Sequence, residues 1–353
     1  MSLLDRHLAR QVILDTLLVL LVLTAVASLV TFVGEIGSVG KGHYTVLDAG
    51  LYTLLYAPGQ AYAVFPVAVL LGAMLGLGDL AAHNELMVMR TAGLSVVRLG
   101  LSTIAGGLVL LVLCVMLGEF IAPPAQHYAD VHRAELTGYD PDALLGGVWA
   151  KDGPLFVNVK QVSARNAARG IYIYRVNAGH RLRSVTQVQT AVFSRGQWRL
   201  EGLRETQLTP QGASVRSVPS AEWHTFLSPA LLGLLTVNTD SLSARGLYVY
   251  VRYLQANGLN ADRFIAALWG RVAEPLSLLA MILLALPFVF GPLRSTSTGQ
   301  RLVTGMLIGI GFYVFNSIFV ESGVVFGLNP VFTAWFPTLL LAVISGVAVS
   351  RIR

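Results

Sequence analysis

Residues 76–100, GLGDLAAHNELMVMRTAGLSVVRLG, set Asp79, His83, Glu85 and Arg90 between two long apolar runs. An imidazole and a carboxylate so close together could move a proton or hold a metal. His83 and Glu85, however, lack a second histidine in helical register, so no H-E-x-x-H zinc pair is formed. Gly40-Lys41 resembles the end of a phosphate-binding loop, but the glycine required five residues before Gly40 is Glu35. Gly42 stands where Ser or Thr would ligate magnesium, so this is not a nucleotide site. No G-x-S-x-G elbow occurs. Cys114, the single cysteine, lies in an apolar run with no base near it in sequence; it cannot form an intrachain disulfide and reads as a packing residue. No catalytic residue and no metal-ligating set is expected, and the charges of the opening segment must do some other work.

The elements around those charges belong to a membrane protein. The chain has 353 residues, 54% hydrophobic and only 12% charged, with a mean hydropathy of +0.65; a soluble domain carries about 25% charge. Six runs, centred on 11–33, 61–78, 99–117, 275–290, 302–320 and 331–349, are long and apolar enough to span a bilayer. The first carries Asp15, lacks a cleavage site and is too long for a signal segment, so it is expected to be retained. Gly72-x-x-x-Gly76 and Gly305-x-x-x-Gly309 would let helices approach closely. Pro58, Pro66, Pro275, Pro287 and Pro337 fall within the runs and would kink them. Glu119, Arg271, Glu274 and Glu321 lie near span ends, where they either snorkel to headgroups or, for Arg271 and Glu274 at i,i+3, share an inward helix face.

Basic residues in short connections set the orientation. Arg6, Arg10, Arg90, Arg98, Arg294, Arg301, Arg351 and Arg353 fall in the two tails and in the 79–98 and 291–301 links, whereas the 34–53 and 321–330 links hold only Lys41. Both termini are therefore expected in the cytoplasm. By parity, residues 122–262 lie on the extracytoplasmic side, periplasmic in a bacterium. The expected domains are 1–121 with spans one to three, 122–262, and 263–353 with spans four to six.

Residues 122–262 read as β structure. LFVNVKQV (155–162), GIYIYRV (170–176) and three later runs alternate and are separated by Gly, Pro, Asn and Ser. Leu155, Val157 and Val159 share one face; Phe156, Asn158 and Lys160 take the other. That apolar face is either a closed sandwich core or, in part, an open groove. Val157 and Ile173, mid-strand on the face shared with Val159 and Ile171, are the candidates for lining such a groove. Residues 241–256 return to helical spacing, and Asn257-Gly258 would close that helix.

The opening segment then reads as a short cytoplasmic surface helix, about 79–93, with Gly93 as its C′ residue. Glu85 and Arg90 lie about 140° apart around it and cannot pair with each other. With Leu80, Leu86, Met87, Val88 and Met89 spread around it, it is either an interfacial helix or a plug for a groove in another protein. Lys41 is either a phosphate-binding point charge or simply solvated.

Several stretches, in this order and spacing, carry a resemblance: LDRHLARQVI, YTLLYAPGQAYAVFP, LLGAMLGLG, ELMVMRTAG, GEFIAPPAQ, GVWAKDG and FGPLRS. Nearly end to end, the chain resembles the lipopolysaccharide-export permease family of LptF and LptG, its LptG members more than its LptF members. The resemblance implies a permease half of an ATP-driven exporter in the Gram-negative inner membrane. Its partners would be an LptF-like permease, two LptB-like ATPase subunits, an LptC-like membrane protein and an LptA-like periplasmic bridge, with lipopolysaccharide as cargo and no nucleic acid. No cofactor belongs to the chain itself, since ATP and magnesium bind the partner ATPase. The 79–93 segment would be the coupling helix, with Glu85, Leu86, Met89 and Arg90 at the ATPase, and the inserted β domain would be jellyroll-like. Lys41, Val157 and Ile173 would meet lipid, and spans one and five would form lateral gates. Family members carry a lysine pair where this chain reads Gly37-Ser38. A lipoprotein-releasing ABC-type permease is the alternative exporter, but that type has four spans with its large outer domain after the first. An intramembrane lipid-modifying enzyme would require a His, Asp or Cys cluster at membrane depth, which the sequence lacks.

Overall fold

The computed structural model describes residues 3–138, 147–163, 167–177, 179, 181–194, 196–209, 212–223, 225, 227–229, 231–232, 242–290 and 298–351. Arg294 and Arg353, two of the orienting cations, lie outside them, as does residue 241. Six helices are long and apolar enough to cross a membrane. In chain order the helices are α1 (Leu3–Ile36), α2 (Val46–Ala82), α3 (Glu85–Thr91), α4 (Val96–Met116), α5 (Ala122–Thr137), α6 (Ala244–Ala256), α7 (Asp262–Phe290), α8 (Thr298–Val325) and α9 (Pro330–Ser350). The chain divides into two units, one of Met1–Arg133 with Asp262–Arg353 and one of Ala134–Ala261.

In the helical unit α2 and α7 are central. Of the most apolar stretch of each span, 72% is buried in α2 and 61% in α7, against 6% in α1 and 11% in α8. Small residues permit this. A Cβ on Gly72 would stand 2.4 Å from the Thr16 Cα of α1, one on Gly76 2.5 Å from an Asp15 carboxylate oxygen, and one on Gly309 of α8 2.8 Å from Val67. Both small-residue pairs therefore lie at close helix crossings, where a side chain would force the backbones apart. The five prolines of the runs all sit inside continuous helices. At the start of α2, Thr45 and Asp48 form a reciprocal capping box.

Two boundaries differ from the sequence reading. The third span does not give way to β structure at 122: α4 passes through a π-helical turn, Leu117–Ile121, into α5, and helix continues to Thr137. A π turn widens the backbone just before Pro123 and Pro124, whose rings would clash with carbonyls one tight turn earlier. Nor is 79–93 one helix. α2 runs on to Ala82, the chain reverses at His83 and Asn84, and α3 is only Glu85–Thr91. Asn84 takes φ 60°, a left-handed conformation that asparagine tolerates better than most residues. The expected C′ glycine is in place: Gly93 has φ 93°, its N–H donates to the Arg90 carbonyl and that of Leu94 to Met89.

The second unit holds a six-stranded antiparallel sheet: β1 (Val148–Asp152), β2 (Leu155–Ser163), β3 (Ala167–Val176), β4 (Leu182–Ser194), β5 (Gln197–Thr209) and β6 (Gly212–Trp223). The strands are paired in consecutive order, as a meander. One row interrupts each of the four ladders from β2 to β6. The positions Lys160, Gly170, Gln189, Gly202 and Pro219 face one another across β2 to β6, and each of those pairs is missing although the register continues unshifted on both sides. Gly170 and Gly202 have φ 65° and 66°, which other residues rarely adopt, and Pro219 has no N–H to donate. Within each half buried positions are two apart, as in Ile171 and Ile173 or Trp198 and Leu200; across the row they are three apart, as in Ala168 and Ile171 or Val188 and Ala191. The inward face changes parity at this crease. α6, capped by Ser243 and closed by Asn257 with Gly258 at φ 62°, packs in the same unit. The Lys151 backbone N–H donates to the Tyr253 hydroxyl at 2.7 Å, and that of Gly153 to the Asn257 side chain at 3.0 Å.

Candidate functional site

Around α3 the sequence-derived residues divide. Leu86 and Met89 are 2% and 7% exposed and belong to the core of the helical unit, while Met87 and Val88 face outward. Leu86 and Met89, expected to touch a partner, instead fasten α3 to its own bundle, because on a seven-residue helix an i,i+3 pair marks one face and that face is taken. Glu85 has a partner the spacing did not reveal: its carboxylate lies 3.2 Å from His7 Nε2 near the start of α1, both side chains half exposed. Arg90 sits 5.8 Å over the Phe290 ring at the end of α7. Close by, Asp5 accepts from the Arg98 guanidinium at 3.1 Å and from the Ser102 hydroxyl at 2.5 Å, tying α1 to α4. The exposed face of α3, with Glu85, Met87 and Val88, is thus mechanically joined to α1 and α7.

At the opposite end of the bundle, Lys41 is exposed in a turn whose flanking Gly40 and Gly42 have φ 89° and 58°. Beside it lies a charge cluster that sequence spacing could not assemble, since its members are almost a hundred residues apart. Arg133 of α5 donates to Glu35 at 2.8 Å and to the Ser38 hydroxyl at 3.2 Å. The Tyr44 hydroxyl donates to the same Glu35 carboxylate at 3.2 Å. Burial, then the Glu35 charge, pushes the Tyr44 phenol up to about 12. Tyr52 and Tyr56 of α2 both donate to Asp130 of α5, at 3.2 and 3.4 Å. Arg133 reaches the very place where the sequence lacks the lysine pair, through its bond to Ser38.

In the sheet, Val157 and Ile173 are direct cross-strand partners, as are Val159 and Ile171. Val157 is 1% and Ile173 8% exposed, so in the isolated chain this face is closed. Asn158 does not offer the open opposite face expected of it: it is 2% exposed and paired with Tyr172 across the ladder. Among the described residues no group of three His, Cys, Asp or Glu could hold a metal ion.

In the helical unit, Arg271 and Glu274 meet at one tyrosine. The Tyr62 hydroxyl donates to Glu274 at 3.1 Å while the Arg271 guanidinium lies 5.2 Å over the Tyr62 ring. Glu274 thereby faces the bundle interior, the second of the two placements open to it from sequence.

Six apolar helices in two sets of three, an antiparallel β unit inserted between them in sequence and a short helix joining two of the spans define a polytopic membrane protein with an inserted β unit. The family described as lipopolysaccharide export system permease LptF/LptG matches residues 6–351. The lipopolysaccharide export system permease protein LptG of Escherichia coli strain K12 is 37% identical over 348 residues, 98% of this chain and 97% of that protein. The protein of the same description from Haemophilus influenzae is 34% identical over 353 residues, 99% of each. The chain belongs to the LptF/LptG family.

Proposed function

We propose that this chain is the LptG-type permease subunit of an ATP-driven lipopolysaccharide exporter. The observation that carries the reading is the family match, which extends over residues 6–351 and so takes in both helical halves and the inserted β unit. Its partners are an LptF-like permease, two LptB-like ATPase subunits, an LptC-like membrane protein and an LptA-like bridge. The chain resides in the inner membrane with both termini and α3 in the cytoplasm and the β unit in the periplasm. It contributes no ATPase chemistry of its own. The six-span plan with the insertion after span three favours this over a lipoprotein-releasing permease.

The energetic task explains the architecture. One acyl chain of about 14 carbons costs roughly 10 kcal/mol to leave a membrane, at about 0.8 kcal/mol per methylene. A multi-chain lipid cannot be lifted bare. An apolar vestibule must accept the chains before they leave the bilayer, and the outward apolar faces of α1 (Leu21, Val30) and α8 (Leu307, Ile318) supply one side of it. Near the periplasmic end Lys41 offers charge for phosphate, whereas Arg133 is already paired with Glu35. ATP-driven movement of the ATPase reaches α1 through Glu85 and His7, and α7 through Arg90.

The test is Glu85→Lys in the reconstituted exporter. The charge reversal sets a cation against His7 and against the groove that received a carboxylate, so lipid-stimulated ATP hydrolysis and export should fall at least about tenfold with the chain still inserted. Undiminished export in that variant removes α3 from the coupling path. For the β unit, photo-crosslinkers at Val157 or Ile173 should capture lipopolysaccharide only when ATP is hydrolysed, since the face is closed at rest. No capture at either position in an active complex would route lipid past the sheet.

A further inference from the structure

In the half of the sheet that holds Val157 and Ile173, the register puts two neighbouring rows on the outward face. Trp149, Asn158, Tyr172, Gln187 and Arg204 form one; Lys151, Phe156, Tyr174, Val185 and Thr206 form the other. The aromatic members are all on β1 to β3. Trp149 of β1 and Tyr174 of β3 stack with ring centroids 5.6 Å apart and planes at 24°, although β2 runs between their strands. Their rings therefore reach across β2, and Asn158 on that strand is 2% exposed. The outer surface of the patch stays open, since Trp149 is 53% and Phe156 40% exposed. Aromatic area of this kind outside a core marks a contact surface.

Charge narrows what the surface fits. The Lys151 ammonium lies 5.9 Å over the Phe156 ring and donates to the Asn257 carbonyl at 3.0 Å, which leaves it further N–H donors. Arg204 stands exposed at the other end of its row. Between them the Gln187 amide, also exposed, donates to the Tyr172 hydroxyl at 3.4 Å. Neither row contains a carboxylate; Asp152 and Glu205 fall on the inward rows, with Leu155 and Thr186 as cross-strand partners. At about 4.8 Å between strands, the way from Trp149 on β1 to Arg204 on β5 is about 19 Å. A purely apolar partner would strip water from the amide and the cations without replacing it, and a simple anion would leave the rings unused. A sugar ring answers both, with a C–H face that stacks on an aromatic ring and a rim of hydroxyls for polar neighbours. We propose that the outward face of β1 to β5 binds an acidic oligosaccharide, its sugar rings on Trp149, Tyr174 and Phe156 and its acidic groups on Lys151 and Arg204. The assignment rests on the sheet alone and not on the transport reading.

The full-length chain, purified in detergent, is titrated calorimetrically with tetragalacturonate. Maltotetraose, without the charge, and tetraglutamate, without the sugar rings, are the comparisons. Tetragalacturonate should bind at least about tenfold more tightly than either, the scale of one charge-assisted hydrogen bond. Trp149→Ala should weaken it about threefold or more, the scale of one aromatic contact, and Trp149→Phe should restore most of the loss. Should Trp149→Ala disturb folding, Arg204→Gln at the far end leaves the rings intact and should weaken binding about threefold with an unchanged melting temperature, as one exposed charge would. Equal affinity for the acidic sugar and the acidic peptide would make the face a plain cationic patch and overturn the assignment. So would equal affinity for the two sugars, binding unaltered in both variants, or no binding of tetragalacturonate.

Discussion

α1 and α2 are both apolar enough to cross a membrane, α1 the more so, yet α2 is nearly enclosed and α1 nearly bare. In α2, 72% of the most apolar stretch is buried, in α1 6%, and α8 on the other side of α2 resembles α1 at 11%. Hydropathy therefore fixes which helices cross the membrane and not what they face once there. The difference follows side-chain size. α2 meets its neighbours through Gly72, Gly76 and Gly78, where an added Cβ would strike Thr16, Asp15 or Arg301 within 2.5 Å. α1 turns Leu18, Leu21, Val26, Leu29 and Val30 outward. A helix that must pack on several sides uses small residues; a helix that must release one side keeps that side large and smooth.

The most severe way to probe this contrast is Gly72→Leu. The obstacle is the Thr16 backbone, which cannot rotate away, so the α1–α2 crossing should open and the variant should lose about 3 kcal/mol or more, read as a collapse in detergent melting temperature. Val30→Ala, at an exposed α1 position, should leave it nearly unchanged. A stable Gly72→Leu would mean that the crossing is looser than its geometry.

A smaller effect separates the two faces of α3. Leu86→Ala should cost about 2–4 kcal/mol through the cavity it leaves, whereas Val88→Glu should keep the melting temperature and impair lipid-stimulated ATP hydrolysis. Equal stability losses at both would show that α3 has no free face. The smallest effect belongs to Lys41, exposed as α1 is but polar. Lys41→Glu should weaken lipopolysaccharide binding by several-fold, about the worth of one exposed charge, and more than Lys41→Ala. Identical, unchanged affinities would make Lys41 a solvated bystander.

Sequence gave good access to whatever is local. Periodicity and length locate the six spans, Gly93 and Asn257-Gly258 end their helices as their chemistry requires, and alternation in LFVNVKQV places Val157 and Val159 on one face. What it could not reach was pairing between distant segments. His7 is 78 residues from Glu85, Arg133 is 98 from Glu35, and Tyr62 is 212 from Glu274; no spacing rule links them. The break at His83 and Asn84 was missed for another reason: neither residue forbids helix, and the reversal follows from burying Leu86 and Met89. The continuation to Thr137 was hidden because Pro123 and Pro124 read as an ending unless the π turn before them is known.

The crease through the sheet has a mechanical meaning. A row without rungs from β2 to β6 is a line of least bending stiffness running across the strands. Along it two glycines, Gly170 and Gly202, supply torsional slack. A load applied at one end of the sheet would therefore be absorbed as rotation about that line before any ladder on either side had to break. The two halves would behave as stiff plates on a common axis, and a wedge entering between their inner faces would meet the resistance of a hinge instead of that of a β-sheet.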